Sequence, residues 1–255
     1  MFINNFDPVA FQILSIEIRW YSLAYIFGIS IGWILSKKLF ISDNKIKEKF
    51  DDYVTYLIIG MIIGGRLGYI FFYNFNYYSN NLIDIFKIWQ GGMSFHGGLI
   101  GIVLVSFLFA KIENHNPFKY LDIIAVVAPI GIFLGRTANF INSELYGTVT
   151  SLPWAVKFIQ VDNLYRHPSQ LYEALLEGVV LFLLLILTYL KKNYKIGKCS
   201  CYFLIFYGAF RVFSEFFRKP DVQVGYLFGS ITMGMLLSVL MILFGAILYW
   251  KKNES

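Results

Sequence analysis

Seven stretches of this chain are apolar over about twenty residues, the length an α-helix needs to cross the hydrocarbon core of a bilayer. No other feature narrows the possible folds so far. The stretches lie near residues 20–39, 52–73, 94–112, 119–141, 170–190, 198–217 and 227–250. Inside lipid a backbone N–H or C=O finds no water, so runs of this length must close their hydrogen bonds within themselves, as helices do. The expectation is an all-α, polytopic integral membrane protein: one membrane domain over 1–255, with seven transmembrane helices. Composition agrees, since 57% of residues are hydrophobic and only 15% charged, against about a quarter charged in a soluble domain. Many of the 26 Phe and 18 Tyr stand at the edges of the runs, where an amphipathic ring suits the membrane interface.

A net charge of +6 in a soluble protein would raise nucleic acid as a partner. Here most basic residues fall in short loops, so membrane lipid is the expected partner and nucleic acid is not. One alternating set of loops (Lys37, Lys38, Lys45, Lys47, Lys49; Lys111, Lys119; Lys191, Lys192, Lys195, Lys198; Lys251, Lys252) holds thirteen Lys and Arg residues. The other (Arg19; Lys87; Lys157, Arg166; Arg218, Lys219) holds six. The positive-inside rule then places the N-terminus outside and the C-terminus in the cytoplasm. The first run is preceded by Asp7, Glu17 and Arg19 rather than a basic segment, which fits a retained span better than a cleaved leader. Cys199 and Cys201 form a lone C-x-C with no acidic or histidine cluster beside them, so neither a disulfide framework nor a metal site is expected. Gly28/Gly32, Gly60/Gly64/Gly68, Gly97/Gly101 and Gly131/Gly135 recur four apart, a spacing that lets helix backbones approach closely in lipid. The longest loops, 74–93 and 142–169, both fall on the outer side and are the only places for an external head or gate.

Against this background the polar groups inside the runs stand out. A charge at the centre of a span costs roughly 2.5–3.5 kcal/mol on the lenient insertion scale and is kept mainly where it faces protein or a wet cavity. The fourth run ends in LGRTANFINSELYG, which brings Arg136, Asn139, Glu144 and Gly147 to its outer end, with Arg136 and Asn139 on one helical face. By itself this run is equally compatible with interfacial snorkelling. In YGAFRVFSEFFRK, Tyr207, Arg211, Glu215 and Arg218 fall within a stripe about 80° wide, suited to a polar cleft or to a self-neutralising pair that locks two helices. Arg66 follows two glycines in GGRLGY, His96 lies in GGMSFHGGLIG where the third span begins, and Tyr21 opens the first span in RWYSLAY. Glycines ahead of a helix can expose N–H groups to an anion, and arginine's planar fork suits a phosphate. The residues alone lead to an anionic lipid headgroup as ligand and stop short of a reaction.

GRTANFINSELYG, with HGGLIG, GGRLGY, RHPSQLYE and YGAFRVFSEFFR in the same order, resembles the bacterial prolipoprotein diacylglyceryl transferases from about RWY at 19–21 to the seventh span. The resemblance implies a bacterial inner-membrane enzyme, multi-pass, with its active site toward the periplasm and no metal or organic cofactor. It implies transfer of the diacylglyceryl group of phosphatidylglycerol to the lipobox cysteine thiol of a preprolipoprotein, with a thioether formed and glycerol phosphate released. Phosphatidylglycerol and lipobox peptides are thus the implied partners. The matching residues are Tyr21, His96, Arg136, Asn139, Glu144, Gly147, Tyr207, Arg211 and Glu215. One departure is the short outer loop between GRTANFINSELYG and RHPSQLYE, which bears on how the preprotein is gripped.

In such a reaction a thiol of pKa about 8.5 must lose its proton and a phosphate must leave as an anion. Arg136 is expected to anchor the phosphate together with Gly147 and Arg66 in the binding role. Arg211 is expected to stabilise the charge that develops on C–O cleavage, and His96 to take the thiol proton. Asn139, Tyr207 and Tyr21 would hydrogen-bond the headgroup, and Glu144 and Glu215 would orient the arginines. Glu144, or a thiol acidified by arginine, can replace His96 as the base in this scheme. A small transporter or flippase, or a headgroup transferase with another acceptor, draws on the same kinds of residue.

Overall fold

The computed structural model describes residues 1–14, 16–220, 225–227 and 229–254. Among the described residues, six helical stretches are long and apolar enough to cross a membrane: Trp20–Phe40, Asn44–Tyr73, Phe95–Ile112, Pro117–Ile141, Ser169–Tyr189 and Met233–Lys252. The expectation was seven. The sixth expected span is also helical, over Lys198–Glu215, but it carries Lys198, Arg211 and Glu215 within 18 residues, and by composition it does not join the others. The seventh expected span includes residue 228, outside the described residues, and its helix begins at Met233.

The chain forms two compact units, residues 1–36 with 122–255, and residues 37–121. The first unit opens with β1 (Phe2–Asn4), β2 (Val9–Ile13) and β3 (Ile16–Arg19), followed by helix α1 (Trp20–Leu35). A π-helical turn, Ser36–Phe40, continues α1 across the boundary between the units. The second unit contains α2 (Asn44–Tyr73), the short α3 (Phe75–Asn80), two 3₁₀ turns (Leu82–Phe86 and Ile88–Gln90), α4 (Phe95–Ile112) and the first turn of α5 (Pro117–Ile141). The rest of α5 returns to the first unit, which then adds β4 (Val156–Phe158), β5 (Tyr165–Arg166), α6 (Ser169–Glu173), a π-helical stretch (Ala174–Val180), α7 (Leu181–Tyr189), α8 (Lys198–Glu215) and α9 (Met233–Glu254).

In the second unit α2 reaches back from the apolar run to Asn44, so the basic stretch at Lys45, Lys47 and Lys49 is helical rather than loop. Its start is fixed by Asp43, whose carboxylate accepts from the Lys45 N–H at 3.1 Å, a standard cap for orphan donors. The glycine spacing performs the packing expected of it. A Cβ at Gly64 would meet the Gly101 Cα at 2.9 Å, and one at Gly97 would meet the Gly68 Cα at 2.7 Å, so α2 and α4 touch backbone to backbone.

In the first unit the same device joins α1 to α5, where a Cβ at Gly28 would lie 2.9 Å from the Gly131 Cα, and α8 to α9 at Gly208 and Gly245. Gly135 faces open space and takes no part. The buried Asp122 of α5 accepts from the Ser200 N–H at 2.7 Å and the Ser200 hydroxyl at 2.6 Å, and also from Tyr194 and the Gly197 N–H. It thereby caps the start of α8. Cys199 and Cys201 are buried free thiols, and Cys199 donates to the Leu185 carbonyl at 3.7 Å.

The small sheets are an addition to the all-α expectation. β1 pairs parallel with β4 (Phe2↔Val156, Asn4↔Phe158), and β4 pairs antiparallel with β5. Phe140, Val156 and Phe158 form a local core with Tyr146 and Val161, so the 142–169 loop is a small packed head. Asn4, wholly buried, donates from Nδ2 to the Phe140 carbonyl at 2.6 Å. That bond satisfies one of the carbonyls orphaned at the end of α5 and pins β1 to the helix that carries Arg136.

Candidate active site

The polar groups of the first unit meet in a cluster of three arginines and three glutamates. Arg136 comes from α5, Glu173 from the end of α6, Glu177 from the π-helical stretch, Arg211 and Glu215 from α8, and Arg218 from the segment just beyond α8. Glu173 is the hub. Its Oε2 lies 2.8 Å from Arg136 Nε and 2.9 Å from Arg211 Nη1, and its Oε1 lies 3.4 Å from Arg218 Nη1. Glu177 is held more loosely, 3.5 Å from Arg136 Nη2 and 3.8 Å from Arg211 Nη1. Glu215 pairs with Arg211, accepts from the Thr232 hydroxyl at 2.8 Å and stands 4.0 Å from Arg218 Nε.

Both Glu173 and Glu177 side chains are 0% exposed and that of Arg211 8%, while that of Arg136 is 15% exposed. A buried charge is tolerated when it is paired, and these six sum to zero. Arg136 is thus no snorkelling residue. Its Nε and Nη2 face carboxylates, while its Nη1 makes no hydrogen bond among the described residues. Tyr207 is buried on α8, within electrostatic reach of Arg136, Arg211, Glu173 and Glu177.

At the end of α5, Asn139 donates from Nδ2 to the Glu144 carboxylate at 3.2 Å, and Gln170 donates to the Glu144 carbonyl at 2.6 Å. The carboxylates on Arg136 are therefore Glu173 and Glu177, whereas Glu144 orders the Asn139 amide. Ser143 and Leu145 adopt positive φ, 56° and 55°. This left-handed backbone costs a side-chain-bearing residue of order 1–3 kcal/mol, and the Ser169 hydroxyl on the Leu145 carbonyl at 2.9 Å helps to hold it. Gly147 donates its N–H to the His167 carbonyl at 3.0 Å. A Cβ there would run into the backbone carbonyls of His167 and Phe217, each at 2.5 Å, so the glycine is a packing requirement of the head.

Tyr21 is 37% exposed on α1, its hydroxyl 3.3 Å from that of Tyr25, and Tyr25 lies within electrostatic reach of Arg136. His96 and Arg66 belong to the second unit. His96 is half-buried in the first turn of α4, where the Ser94 hydroxyl caps the Gly97 N–H at 3.2 Å, and its ring stands edge-on to Phe95. Arg66 makes five hydrogen bonds, one for each N–H of a guanidinium: to the carbonyls of Ile85 at 3.0 Å, Asp84 at 2.6 Å, Lys87 at 3.2 Å, Gly92 at 3.3 Å, and Gly91. Gly91 and Gly92 turn toward it with φ of 84° and 81°, values that glycine adopts without strain. Arg66 retains no donor for a phosphate, and its work is to hold the 84–92 loop.

Two central residues, Glu173 and Glu177, are absent from the sequence-based set. Their signal was present: two carboxylates four apart in an otherwise apolar run, YEALLEGVVLFLLL, fall under the same cost of intramembrane charge that singles out the arginines.

Comparison with known proteins shows the family. The family model for prolipoprotein diacylglyceryl transferase matches residues 8–251. Proteins called phosphatidylglycerol–prolipoprotein diacylglyceryl transferase are similar over nearly the whole chain. That of Rickettsia felis is 45% identical over 98% of both chains. Its counterpart in Rickettsia bellii is 47% identical over 97% of this chain and 95% of its own, and that of Brucella anthropi 45% over 98% and 93%. With a family model spanning most of its length and relatives of this identity, the chain belongs to the prolipoprotein diacylglyceryl transferase family.

Proposed function

We propose that this protein moves the diacylglyceryl group of phosphatidylglycerol onto the cysteine thiol of a prolipoprotein, forming a thioether and releasing glycerol phosphate. The observation that carries the reading is the buried arginine cluster, because the reaction requires a phosphate first to bind and then to leave in a medium of low dielectric. The lipid phosphate would dock on the outward donors of Arg136, the least buried of the three arginines. As the C–O bond breaks, charge grows on the phosphate oxygens, and Arg211, held by Glu173 and Glu215, is preset to stabilise it without reorganising. Asn139, fixed by Glu144, and Tyr207 and Tyr21 would hydrogen-bond the headgroup. Gly147 would serve by shaping the head rather than by touching lipid. His96 remains the proposed acceptor of the thiol proton.

The same reading places α8 in the membrane as a seventh span whose charges face the protein interior, with the N-terminus outside, the C-terminus in the cytoplasm and the site toward the periplasm. The thirteen-to-six bias of basic residues flanking the apolar runs supports that orientation.

The test uses the full chain in detergent with phosphatidylglycerol and a peptide carrying one lipobox cysteine, read by peptide mass and released glycerol phosphate, with Arg136→Lys beside it. The wild type should add the diacylglyceryl mass. Lysine keeps the charge and loses the planar fork, so the variant should fall on the order of 10²-fold in kcat/KM. No mass gain in the wild type would overturn the reading, and normal turnover in the variant would remove Arg136 as the anchor.

A further inference from the structure

The six buried charges of the cluster sum to zero before any ligand arrives. A phosphatidylglycerol headgroup carries one negative charge, so its entry would leave the same buried space with an unbalanced anion, an expensive state at low dielectric. One carboxylate has to give way. Glu173 is pinned by three arginines, two of them within 2.9 Å. Glu215 has its pair with Arg211 and the Thr232 hydroxyl. Glu177 has only its contacts at 3.5 and 3.8 Å.

The position of Glu177 matters as much as its weak hold. Glu173 occupies Arg136 Nε, and Glu177 occupies Nη2, one half of the terminal fork. The other half, Nη1, makes no hydrogen bond among the described residues. Withdrawal of Glu177 therefore opens the whole Nη1–Nη2 edge, the geometry that binds two phosphate oxygens side by side. Glu177 sits on a π-helical stretch, a distortion that recurs at functional sites. Its neighbour Gly178 packs against Phe133 of α5, where a Cβ would meet the Phe133 Cβ at 2.7 Å, so the carboxylate is carried close to the helix that bears Arg136.

We infer that Glu177 is a charge-exchange residue: on binding, the lipid phosphate displaces it from Arg136, and Glu177 takes up a proton from solvent so that the cluster stays neutral. The inference rests on the proposed lipid substrate and adds a positioning role that neither the sequence motifs nor the family name assigns. Among the described residues, the charged and titratable groups around Glu177 are Arg136 from α5, Glu173 from α6, Tyr207 and Arg211 from α8, and Arg218 beyond α8. The arginines keep their charge, and Glu173 is the better-held carboxylate, so the proton goes to Glu177. The sign follows from linkage. A group that is ionised in the free enzyme and protonated in the complex makes binding weaken as pH rises.

The measurement is calorimetric titration of the full chain in detergent with dioleoyl phosphatidylglycerol, repeated in buffers of different ionisation heat and over a range of pH, with peptide transfer assayed in parallel. The wild type should take up about one proton per lipid bound, with Kd rising up to about tenfold per pH unit. Glu177→Gln, neutral at every pH, should bind without proton uptake and with a flat Kd, and tighter than wild type at high pH. Glu177→Asp should restore the pH dependence, which separates titration from damage to packing. Wild-type transfer with no proton uptake would overturn the exchange and leave the enzyme assignment standing, as would uptake retained in Glu177→Gln. Absence of both transfer and lipid binding would overturn the substrate itself, and the exchange with it.

Discussion

Arg66 and Arg136 pose the same problem in the sequence, a guanidinium inside an apolar run beside glycine, and the folded chain solves it in opposite ways. Arg66 spends its five donors on backbone carbonyls between Asp84 and Gly92, with its charge also 5.0 Å from the centre of the Tyr78 ring. Arg136 faces carboxylates, and one of its nitrogens makes no hydrogen bond among the described residues. A run of residues cannot disclose this difference, because the partners of Arg66 are carbonyls, which every residue carries. Arg66→Ala should therefore lower stability, on the order of 3 kcal/mol for a buried charge-assisted network, with little change in lipid affinity. Thermal unfolding in detergent and the lipid titration read the two separately, and a selective loss of lipid binding at unchanged stability would return Arg66 to the substrate. Arg136, Arg211 and Glu215 are legible as members of the buried polar cluster because lipid makes charge conspicuous, and Tyr207 because it shares a helical face with Arg211 and Glu215. Glu173 and Glu177 are equally conspicuous, but a match to a phosphate points to the cationic groups, while the structural need is to neutralise those cations before the phosphate arrives.

At the scale of elements, the apolar runs foretold helices well and foretold their ends less well. Helix α2 continues past its apolar run to Asn44 because Asp43 supplies a cap and Lys and Glu are good helix formers. The strands escaped notice for a different reason. Three residues in β1 and two in β5 are too few for an alternating pattern, and what fixes them is long-range: the pairing of β1 with β4 and the bond from Asn4 to the end of α5. The glycine spacing was readable as packing, and it divides into positions that carry it and positions that do not. Gly64→Leu would drive a side chain into the backbone of α4 and should cost about 1–3 kcal/mol or more, seen as a lower unfolding temperature in detergent. Gly135→Ala, by contrast, adds a methyl in open space and should cost nothing and gain a little helix propensity. Equal effects of the two would mean that the α2–α4 contact is looser than its geometry indicates.

For the whole molecule, the head at residues 142–169 ties the N-terminal strand, the end of α5 and the segment beyond α8 into one structure, and its acid response follows from its groups. His167 lies at the centre. Its carbonyl accepts from Gly147, its N–H donates to the Thr148 carbonyl, its Nδ1 is 3.1 Å from the Tyr172 hydroxyl, and its ring packs edge-on to Phe217. Burial holds its pKa below the ordinary value of 6.5, so the folded head binds a proton less readily than the unfolded chain. The contribution to stability is then full above pH 6.5 and is lost as pH falls through the lower folded value. Asp162 is depressed too, chiefly by its bond with Arg166, but as a carboxylate it titrates in a window well below that of histidine. Between pH 7.5 and 5.5 the unfolding temperature should therefore drop through His167, by at most about 3 °C given the solvent access of the ring, and His167→Gln should remove most of that drop. A variant with the wild-type slope would assign the acid response to another group. His167 is then a strut for the head, while the cluster of arginines and glutamates carries the charge that the proposed chemistry needs.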